Sequence, residues 1–460
     1  MQYLGIEYSI QHLPELDHGF IPMGVWMNAY EDIAQKPVWI AVESTEGRIV
    51  TRKIAVIGDG LHDAADYRYL ERMVKFLLWS VGGFRVLVCG ADAITERLAR
   101  AYAPGGERAF DAQFMNDVFE QGLRILACDE VNFPHSNGAS ISVGGHMDGC
   151  RIGFDAGGSD RKVSAVLNGE CVYSEEVVWH PKTTADPEYH FTEIVKALQT
   201  AADHLPCVDA IGVSSAGVFV GNSPMVSSLF LKVPQEKRAF VKDIYNAAAR
   251  TIGDGLVPIT VVKDGDVTAI AGAMQLKTGA VMGIAMGTSE AVGYVNDEGN
   301  ILGWFNELAF APVDLNENAM ADEWSGDIGI GCKYFSQDAV IKLAPVAGIT
   351  LADNLTPGEK LSEVQKLLEQ GWNAAVRIYR TIGTYLGHTL ALYQKFYDIR
   401  SLLVLGRVVS GEGGRLIISA CQQVLNDEYP TIAKNIDIIL PDEQSRRVGQ
   451  SVAAASLTHI

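Results

Sequence analysis

Two short glycine-containing turns carry the residue types that phosphate binding needs. Residues 155–159 read Asp-Ala-Gly-Gly-Ser and residues 287–289 read Gly-Thr-Ser, and each follows an apolar stretch typical of a strand. Glycine lets backbone N–H groups approach phosphate oxygens, because it has no side chain to hold them away. Two such turns facing each other would hold the phosphates of one nucleotide, although each turn alone is also typical of an ordinary hairpin.

Acidic residues end two of the predicted strands. Asp155 closes the first strand, and its carboxylate suits Mg²⁺ bound through a water, since that ion keeps several waters and takes few protein carboxylates. Asp264 follows a second apolar stretch at residues 259–262. The sequence thus predicts carboxylates at two strand ends, Asp155 at the first turn and Asp264 ahead of the second turn.

The elements that must position these residues follow a particular order. Residues 162–167 form an alternating hairpin partner, and further strands are predicted from residues 211, 259, 283 and 402. The last strand leads into a glycine-rich segment, residues 406–414. In this order residues 150–460, about two thirds of the chain, resemble the ROK family of sugar kinases and sugar-responsive regulators, within the actin and hexokinase superfamily.

The resemblance implies an α/β fold with two actin-like (ribonuclease H-like) lobes, an interdomain cleft and an N-terminal α/β domain. The implied boundaries are residues 1–149 for the extension, 150–262 with a C-terminal helix at 445–460 for the first lobe, and 263–444 for the second. Ligands would sit between the lobes, as is usual for clefts of this kind.

The resemblance also implies a set of site residues, with ATP and Mg²⁺ as cofactors. The ATP phosphates would be bound by Gly157, Gly158, Ser159, Gly287, Thr288 and Ser289, and adenosine by Gly406, Gly411, Gly413 and Gly414. The substrate would contact Lys263, Asp264 and Glu307, with Asp264 as general base. A base is needed because a sugar hydroxyl is a very weak acid that must lose its proton as the phosphoryl group arrives.

Several positions depart from the family pattern. Lys263 replaces a sugar-binding Asn, so it would either neutralise an acidic group of the substrate or form an ion pair. Phe310 stands where the family has a zinc-binding His after Glu307, and the family's cysteine cluster is reduced to Cys332. The second turn continues into residues 290–292 (Glu-Ala-Val), where glycines are common. We therefore expect no structural zinc and no particular preference for glucose.

The function that these residues favour is ATP-dependent phosphorylation of a sugar or sugar-like hydroxyl compound. A non-catalytic sugar or nucleotide sensor that acts through its N-terminal domain is the alternative, because several binding residues of the family are altered. A hydrolase using water in place of the sugar is a third interpretation.

Composition limits the partners. The formal net charge of -19 argues against nucleic acid or an anionic membrane as a partner, because both attract basic surfaces. The seven cysteines are dispersed and the chain starts without a leader-like segment, so we expect a cytoplasmic protein with reduced thiols. A small sugar-like substrate is the expected partner, and a homodimer remains open.

The first 149 residues extend beyond a minimal sugar kinase. Strands are predicted at residues 38–42, 48–57 and 85–89, with helices at 67–80, 93–102 and 111–122. The region would be either a further degenerate actin-like lobe or an unrelated α/β domain, joined by a linker at residues 133–145. It carries 12 Lys or Arg against 20 Asp or Glu, the wrong sign for a DNA-reading domain.

Overall fold

The computed structural model describes residues 1–137, 143–441 and 443–460, so part of the predicted linker lies outside the described residues. The chain forms two compact units. The first unit consists of Met1–Ala139, Ile284–Val292 and Trp304–Leu440, and the second of Ser140–Gly283, Gly293–Gly303 and Pro441–Ile460. These units differ from the three predicted ranges, since the first 139 residues share a unit with most of the predicted second lobe.

The N-terminal part of the first unit is an α/β segment. Its elements are β1 (Gln2–Tyr3), β2 (Ile6–Glu7), α1 (Met23–Glu31), β3 (Lys36–Glu43), β4 (Ile49–Val56), α2 (Asp63–Ser80), β5 (Arg85–Cys89), α3 (Asp92–Ala101), α4 (Ala109–Phe119) and β6 (Arg124–Cys128). One sheet has the order β4-β3-β5-β6, in which β3 is antiparallel to both neighbours and β5 is parallel to β6.

The second unit is built around a five-stranded sheet. Its elements are β7 (Cys150–Ala156), β8 (Asp160–Leu167), β9 (Glu170–Val178), α5 (Pro187–Ala202), β10 (Ala210–Ser215), β11 (Val218–Val220), β12 (Ser223–Val226), α6 (Arg238–Lys242), α7 (Ile244–Ala249), β13 (Ile259–Lys263) and α8 (Asp264–Leu276). The order is β13-β10-β7-β8-β9, with β13, β10 and β7 parallel and β8 and β9 joined as antiparallel hairpins.

The two sheets differ in the pairing of their first strand. In the second unit β7 is parallel to β10, whereas in the N-terminal sheet β3 is antiparallel to β5. The N-terminal sheet therefore does not repeat the five-stranded one, and of the two interpretations of residues 1–149 the unrelated α/β segment fits the pairing.

The remaining elements complete both units. They are β14 (Val281–Met286), β15 (Glu290–Val295), α9 (Gln337–Val346), α10 (Pro357–Glu369), α11 (Asn373–Tyr393), β16 (Ser401–Leu405), α12 (Glu412–Glu428), α13 (Pro430–Ala433), β17 (Asp437–Ile439) and α14 (Glu443–Ala455). The sheet order here is β15-β14-β16-β17. Among the described residues, no helix is both long and apolar enough to span a lipid bilayer.

The two faces of the five-stranded sheet have different roles. Ile152 and Phe154 of β7 point into an apolar core formed with α5 and α7. Gly153 and its register partner Gly212 lie on the other face, where a Cβ would come within 1.8 Å and 1.7 Å of backbone oxygens in α14. Because side chains alternate along a strand, Asp155 lies on the same face as Gly153. The glycines thus let α14 pack directly on the sheet beside Asp155.

A buried ion network stabilises the first unit. Asp327 lies 2.8 Å from the Lys75 ammonium and 2.6 Å from the Arg108 guanidinium, and Arg108 also contacts Glu71 at 2.7 Å. Burial by itself would raise the pKa of Asp327, but the positive charges of Lys75, Arg72 and Arg108 outweigh it and hold that pKa well below its usual range. The network joins α2 and Arg108, which directly precedes α4, to Asp327 in the later part of the chain, so the N-terminal segment belongs to the first unit.

Candidate functional site

Three neighbouring strand ends of the second unit bring polar residues together. In the register of the sheet, Asp155 of β7 is paired with Ser214 of β10, and Ser215 is paired with Lys263 of β13. Asp264 is the next residue along the chain and opens α8. Because β7, β10 and β13 are parallel, these residues lie at one edge of the sheet, as expected for ligand sites in α/β folds.

Asp155 is a buried carboxylate, with 5% of the residue exposed. The Ser214 hydroxyl donates a 2.7 Å hydrogen bond to it, and the Lys162 ammonium lies 3.9 Å away. Burial raises the pKa of Asp155 to about 6, and the charge of Asp264 adds to this rise, while Ser214 and Lys162 oppose it. Asp155 is therefore short of positive charge, which favours a bound cation or a proton.

Asp264 begins α8, where its Oδ1 accepts a 2.8 Å hydrogen bond from the Gly265 amide. A carboxylate at this position is stabilised by the positive end of the helix dipole. Lys263, directly before it, is 9% exposed. Asp266 has a structural contact, because it is buried and accepts a hydrogen bond from the Tyr294 amide at 3.1 Å.

The first glycine turn joins β7 to β8 next to these carboxylates. A Cβ at Gly157 would lie 2.7 Å from the Asp160 carbonyl oxygen, and a Cβ at Gly158 would lie 2.4 Å from the Lys182 side chain. Ser159 is exposed. A side chain at Gly157 would therefore clash with the backbone, whereas a side chain at Gly158 would have to displace the flexible end of Lys182.

The second glycine turn lies in the first unit, between β14 and β15. The Gly287 amide donates to the Ser289 carbonyl at 3.0 Å, and the Gly287 carbonyl accepts from the Gln337 amide at 2.9 Å. A Cβ at Gly287 would meet only the Ser289 oxygen at 3.8 Å. These two hydrogen bonds fix the turn, in which Thr288 lies between Gly287 and Ser289, and Gly287 has free space around it.

The glycine-rich loop follows β16 in the same unit. Gly406 has φ of +101°, and a Cβ there would lie 2.3 Å from the Met286 carbonyl, so the loop lies directly against the residue before the second turn. Gly411 is exposed and precedes α12. Gly413 and Gly414 lie inside the first turn of α12 and are buried, with Gly413 against the Tyr379 ring.

The segment that contains Glu307 is attached to α2. The Glu307 amide donates to the Trp79 carbonyl at 2.9 Å. Phe310, at the position of the family's zinc-binding His, packs against Trp79 with ring centroids 4.5 Å apart and against Trp324 at 5.4 Å. An aromatic cluster therefore occupies this position.

Two sets of residues offer ligands for metal ions. Asp155 and Asp264 provide the oxygen ligands that Mg²⁺ prefers, and the raised pKa of Asp155 fits a site that gains from a cation. Cys150, Cys207 and Asp209 form the one group of three clustered His, Cys or acidic ligands among the described residues, with the two sulfur atoms 3.3 Å apart. In the sequence these cysteines do not have a spacing typical of metal ligands.

Three residues near Asp155 or the first turn were not predicted as site residues from the sequence. Ser214 ends a strand in small residues, which was the available signal. Lys162 follows the first turn, and its ammonium lies 3.1 Å from Asp160. Lys182 comes close to Gly158 only where the chain returns after β9, a contact for which the local sequence has no signal.

Comparison with known proteins identifies the fold. No family model matches the sequence, and no curated protein matches it significantly. A ROK hexokinase from Thermus thermophilus is similar in structure, with 16% identity, a TM-score of 0.50 and coverage of 67% of this chain and 97% of the hexokinase. A ROK family transcriptional regulator, described as a homologue of the E. coli MLC protein, has 14% identity, a TM-score of 0.52 and coverage of 68% and 79%.

These similarities confirm the predicted α/β fold class and the resemblance to the ROK-type, actin-like fold over about two thirds of the chain. At such identities they concern the fold. One match is a sugar kinase and the other a regulator, so the fold is used for both kinds of function.

Proposed function

We propose, with the ROK-type fold as the premise, that this protein transfers the terminal phosphate of ATP to a hydroxyl group of a sugar or sugar-like compound. The observation that carries the proposal is the meeting of Asp155, Ser214 and Asp264 at three neighbouring strand ends, beside the turn of Gly157 and Gly158. Phosphoryl transfer depends mainly on positioning and on stabilising charge, and this edge offers carboxylates, a hydroxyl and open backbone amides.

In the proposed reaction, Asp264 accepts the proton of the attacking hydroxyl group. A bond forms between the hydroxyl oxygen and the γ-phosphorus, the bond from that phosphorus to the bridging oxygen breaks, and ADP leaves with the electron pair. Asp155 would hold Mg²⁺, through a water, and this ion would offset the charge of the phosphates. Ser214 keeps the Asp155 carboxylate in one orientation through its 2.7 Å hydrogen bond.

The nucleotide contacts are assigned to glycine-rich segments. Gly157, Gly158 and Ser159 would donate to phosphate oxygens, and the same role is assigned to Gly287, Thr288 and Ser289. Adenosine binding is assigned to Gly406 and Gly411. Gly413 and Gly414 support that loop from inside α12, because they are buried in packing contacts.

The substrate contacts are assigned to Lys263, Asp264 and Glu307. A lysine in place of the family's Asn adds a positive charge next to the base. Such a charge favours a substrate with an acidic group, because an ammonium binds a carboxylate more strongly than it binds a neutral hydroxyl.

A second candidate is a non-catalytic sensor of a sugar or nucleotide. The structural similarity to a ROK family transcriptional regulator favours it. Its output would pass to a protein rather than to DNA, because residues 1–149 carry 12 basic against 20 acidic side chains.

The two functions are separated by measuring ADP formation across neutral, amino and acidic sugars, together with thermal unfolding in the presence of each ligand. A kinase forms ADP with one sugar class, and ADP formation with water alone would indicate a hydrolase. Stabilisation by a nucleotide and a sugar without ADP formation would contradict the kinase and support the sensor, because a ligand that binds only the folded state stabilises it.

A further inference from the structure

Two lysines lie near the turn of Gly157 and Gly158, and they differ in their partners. The Lys162 ammonium lies 3.1 Å from the Asp160 carboxylate and 3.9 Å from that of Asp155. For Lys182, which is exposed, no hydrogen-bond or ion-pair partner lies in the part of the chain that the structure describes. Its positive charge is thus available to a ligand.

The Lys182 amine lies directly over Gly158. A Cβ built on Gly158 would come within 2.4 Å of the Lys182 Cε and 2.6 Å of its Nζ. The absence of a side chain at Gly158 is what gives the ammonium this position. A phosphate bound at this turn would therefore lie within reach of the Lys182 ammonium.

Trp179 connects the turn to the segment that carries Lys182 through two hydrogen bonds. Its indole N–H donates to the Gly157 carbonyl at 2.7 Å, and its backbone amide donates to the Ser159 carbonyl at 3.1 Å. Trp179 is itself buried, at 1% exposure. Lys182 follows three residues later, so its backbone is held at a fixed distance from the turn.

The short helix that carries Lys182, Pro181–Thr183, is also held by contacts of His190 and Thr184. The buried His190 ring contacts the Pro181 carbonyl through Nε2 at 3.0 Å, and the Thr184 hydroxyl donates to the His180 carbonyl at 2.7 Å. This anchoring reduces the conformational freedom of the Lys182 backbone, which lowers the cost of holding its ammonium against a ligand.

The charges around the turn explain why a free ammonium is useful. Asp155, Asp160 and Asp264 contribute three carboxylates at this edge, against the ammonium groups of Lys162, Lys182 and Lys263. A phosphate would be repelled by the carboxylates unless cations lie between them, and Lys162 is already paired.

We infer that Lys182 binds the terminal phosphate of the nucleotide, in an assignment that rests on the proposed function. The ammonium of Lys182 donates to a γ-phosphate oxygen as a charge-assisted hydrogen bond while the amides of Gly157 and Gly158 bind the same group. Lys182 is therefore a substrate-binding residue of the kinase, supplied by the segment after β9.

The test is titration calorimetry of the full chain with MgATP and MgADP, using the parent, Lys182→Ala, Lys182→Arg and the control Lys196→Ala. Lys196 is an exposed lysine on α5 in the same unit, so its removal makes the same change in net charge. We expect Lys182→Ala to weaken MgATP binding by about 10-fold or more, because a charge-assisted hydrogen bond is lost. MgADP binding should change by less than about threefold in the same variant, since ADP lacks the γ-phosphate. Lys182→Arg and Lys196→Ala should bind MgATP like the parent.

The outcomes separate this assignment from the proposed function. A parent that binds MgATP, together with Lys182→Ala that binds it equally well, would overturn the role of Lys182 and leave the kinase standing. Equal weakening of MgATP and MgADP would also overturn the γ-phosphate assignment. A parent that binds no MgATP would contradict the proposed function and Lys182 with it. Thermal unfolding of each variant without ligand confirms that it is folded.

Discussion

Asp155 and Asp327 are both buried carboxylates, at 5% and 8% exposure, but their environments are opposite. Asp327 is surrounded by the positive charges of Lys75, Arg72 and Arg108, which hold its pKa below the usual range although burial alone would raise it. Asp155 has the Ser214 hydroxyl, the Lys162 ammonium at 3.9 Å and two nearby carboxylates, Asp264 and Asp160, and burial raises its pKa to about 6.

This difference separates a structural carboxylate from a functional one. The charge of Asp327 is balanced within the protein, so it needs no ligand. The charge of Asp155 is not balanced, and it costs stability until a cation or proton arrives. Buried charged groups that lack a balancing charge and do not stabilise the fold are typical of ligand sites.

The largest expected effect comes from removing the balanced charge. Asp327→Asn leaves the buried cations of Lys75 and Arg108 without their shared partner, and we expect it to lower the free energy of unfolding by about 3 to 5 kcal/mol. Denaturant unfolding at pH 7 measures this, with the exposed Asp353→Asn as control. A loss no larger than that of the control would show that the network contributes nothing to stability.

The next largest effect is the change with pH in the contribution of Asp155 to the free energy of unfolding. The folded pKa of Asp155, about 6, lies above its unfolded value, so the native state keeps a proton that the unfolded chain has lost. The contribution of Asp155 to stability is therefore full below pH 4 and is lost as the pH rises through 6. Without Mg²⁺ and nucleotide, the parent should lose about 2 to 3 kcal/mol relative to Asp155→Asn between pH 4 and 7. A difference between the two proteins that does not change with pH would contradict this.

A smaller effect is expected at the first glycine turn. Gly158→Val should weaken ATP binding by about 1 to 3 kcal/mol, because the new side chain would displace the Lys182 amine and hinder amide contacts. Gly122→Val is the control, since a Cβ there meets nothing within 4 Å. Calorimetry checks both variants. ATP binding as tight as in the parent, in a folded Gly158→Val protein, would reduce this turn to an ordinary hairpin.

The smallest expected value is the zinc content of the purified protein. We predict less than about one tenth of a zinc ion per chain, because Phe310 lies in an aromatic cluster and a closed tetrahedral site needs four ligands. Elemental analysis after purification without added metal measures it. Stoichiometric zinc would overturn the prediction, and its loss in Cys207→Ser would locate the ion at Cys150, Cys207 and Asp209.

The sequence allowed the strands that lead to Asp155 and Asp264 to be predicted, because their apolar stretches have a clear pattern, but it gave no prediction for β6, β9, β15 or β17. The position of Lys182 over Gly158 could not be predicted. It depends on the hydrogen bond from the Trp179 indole to the Gly157 carbonyl and on the path of the chain after β9. The inclusion of the N-terminal segment in the first unit depends on contacts such as Lys75 with Asp327, which are far apart in sequence. Such pairs leave no local signal.

The measurement that tests the central claim most directly is turnover of Asp264→Asn with the best sugar, alongside its affinity for MgATP. We expect turnover to fall by about 100-fold or more with MgATP affinity nearly unchanged, because the variant keeps the shape of the site but cannot accept the hydroxyl proton. The control Asp254→Asn, an exposed position in the same unit, should match the parent. Turnover of Asp264→Asn equal to that of the parent would contradict Asp264 as the base and, with it, the proposed mechanism.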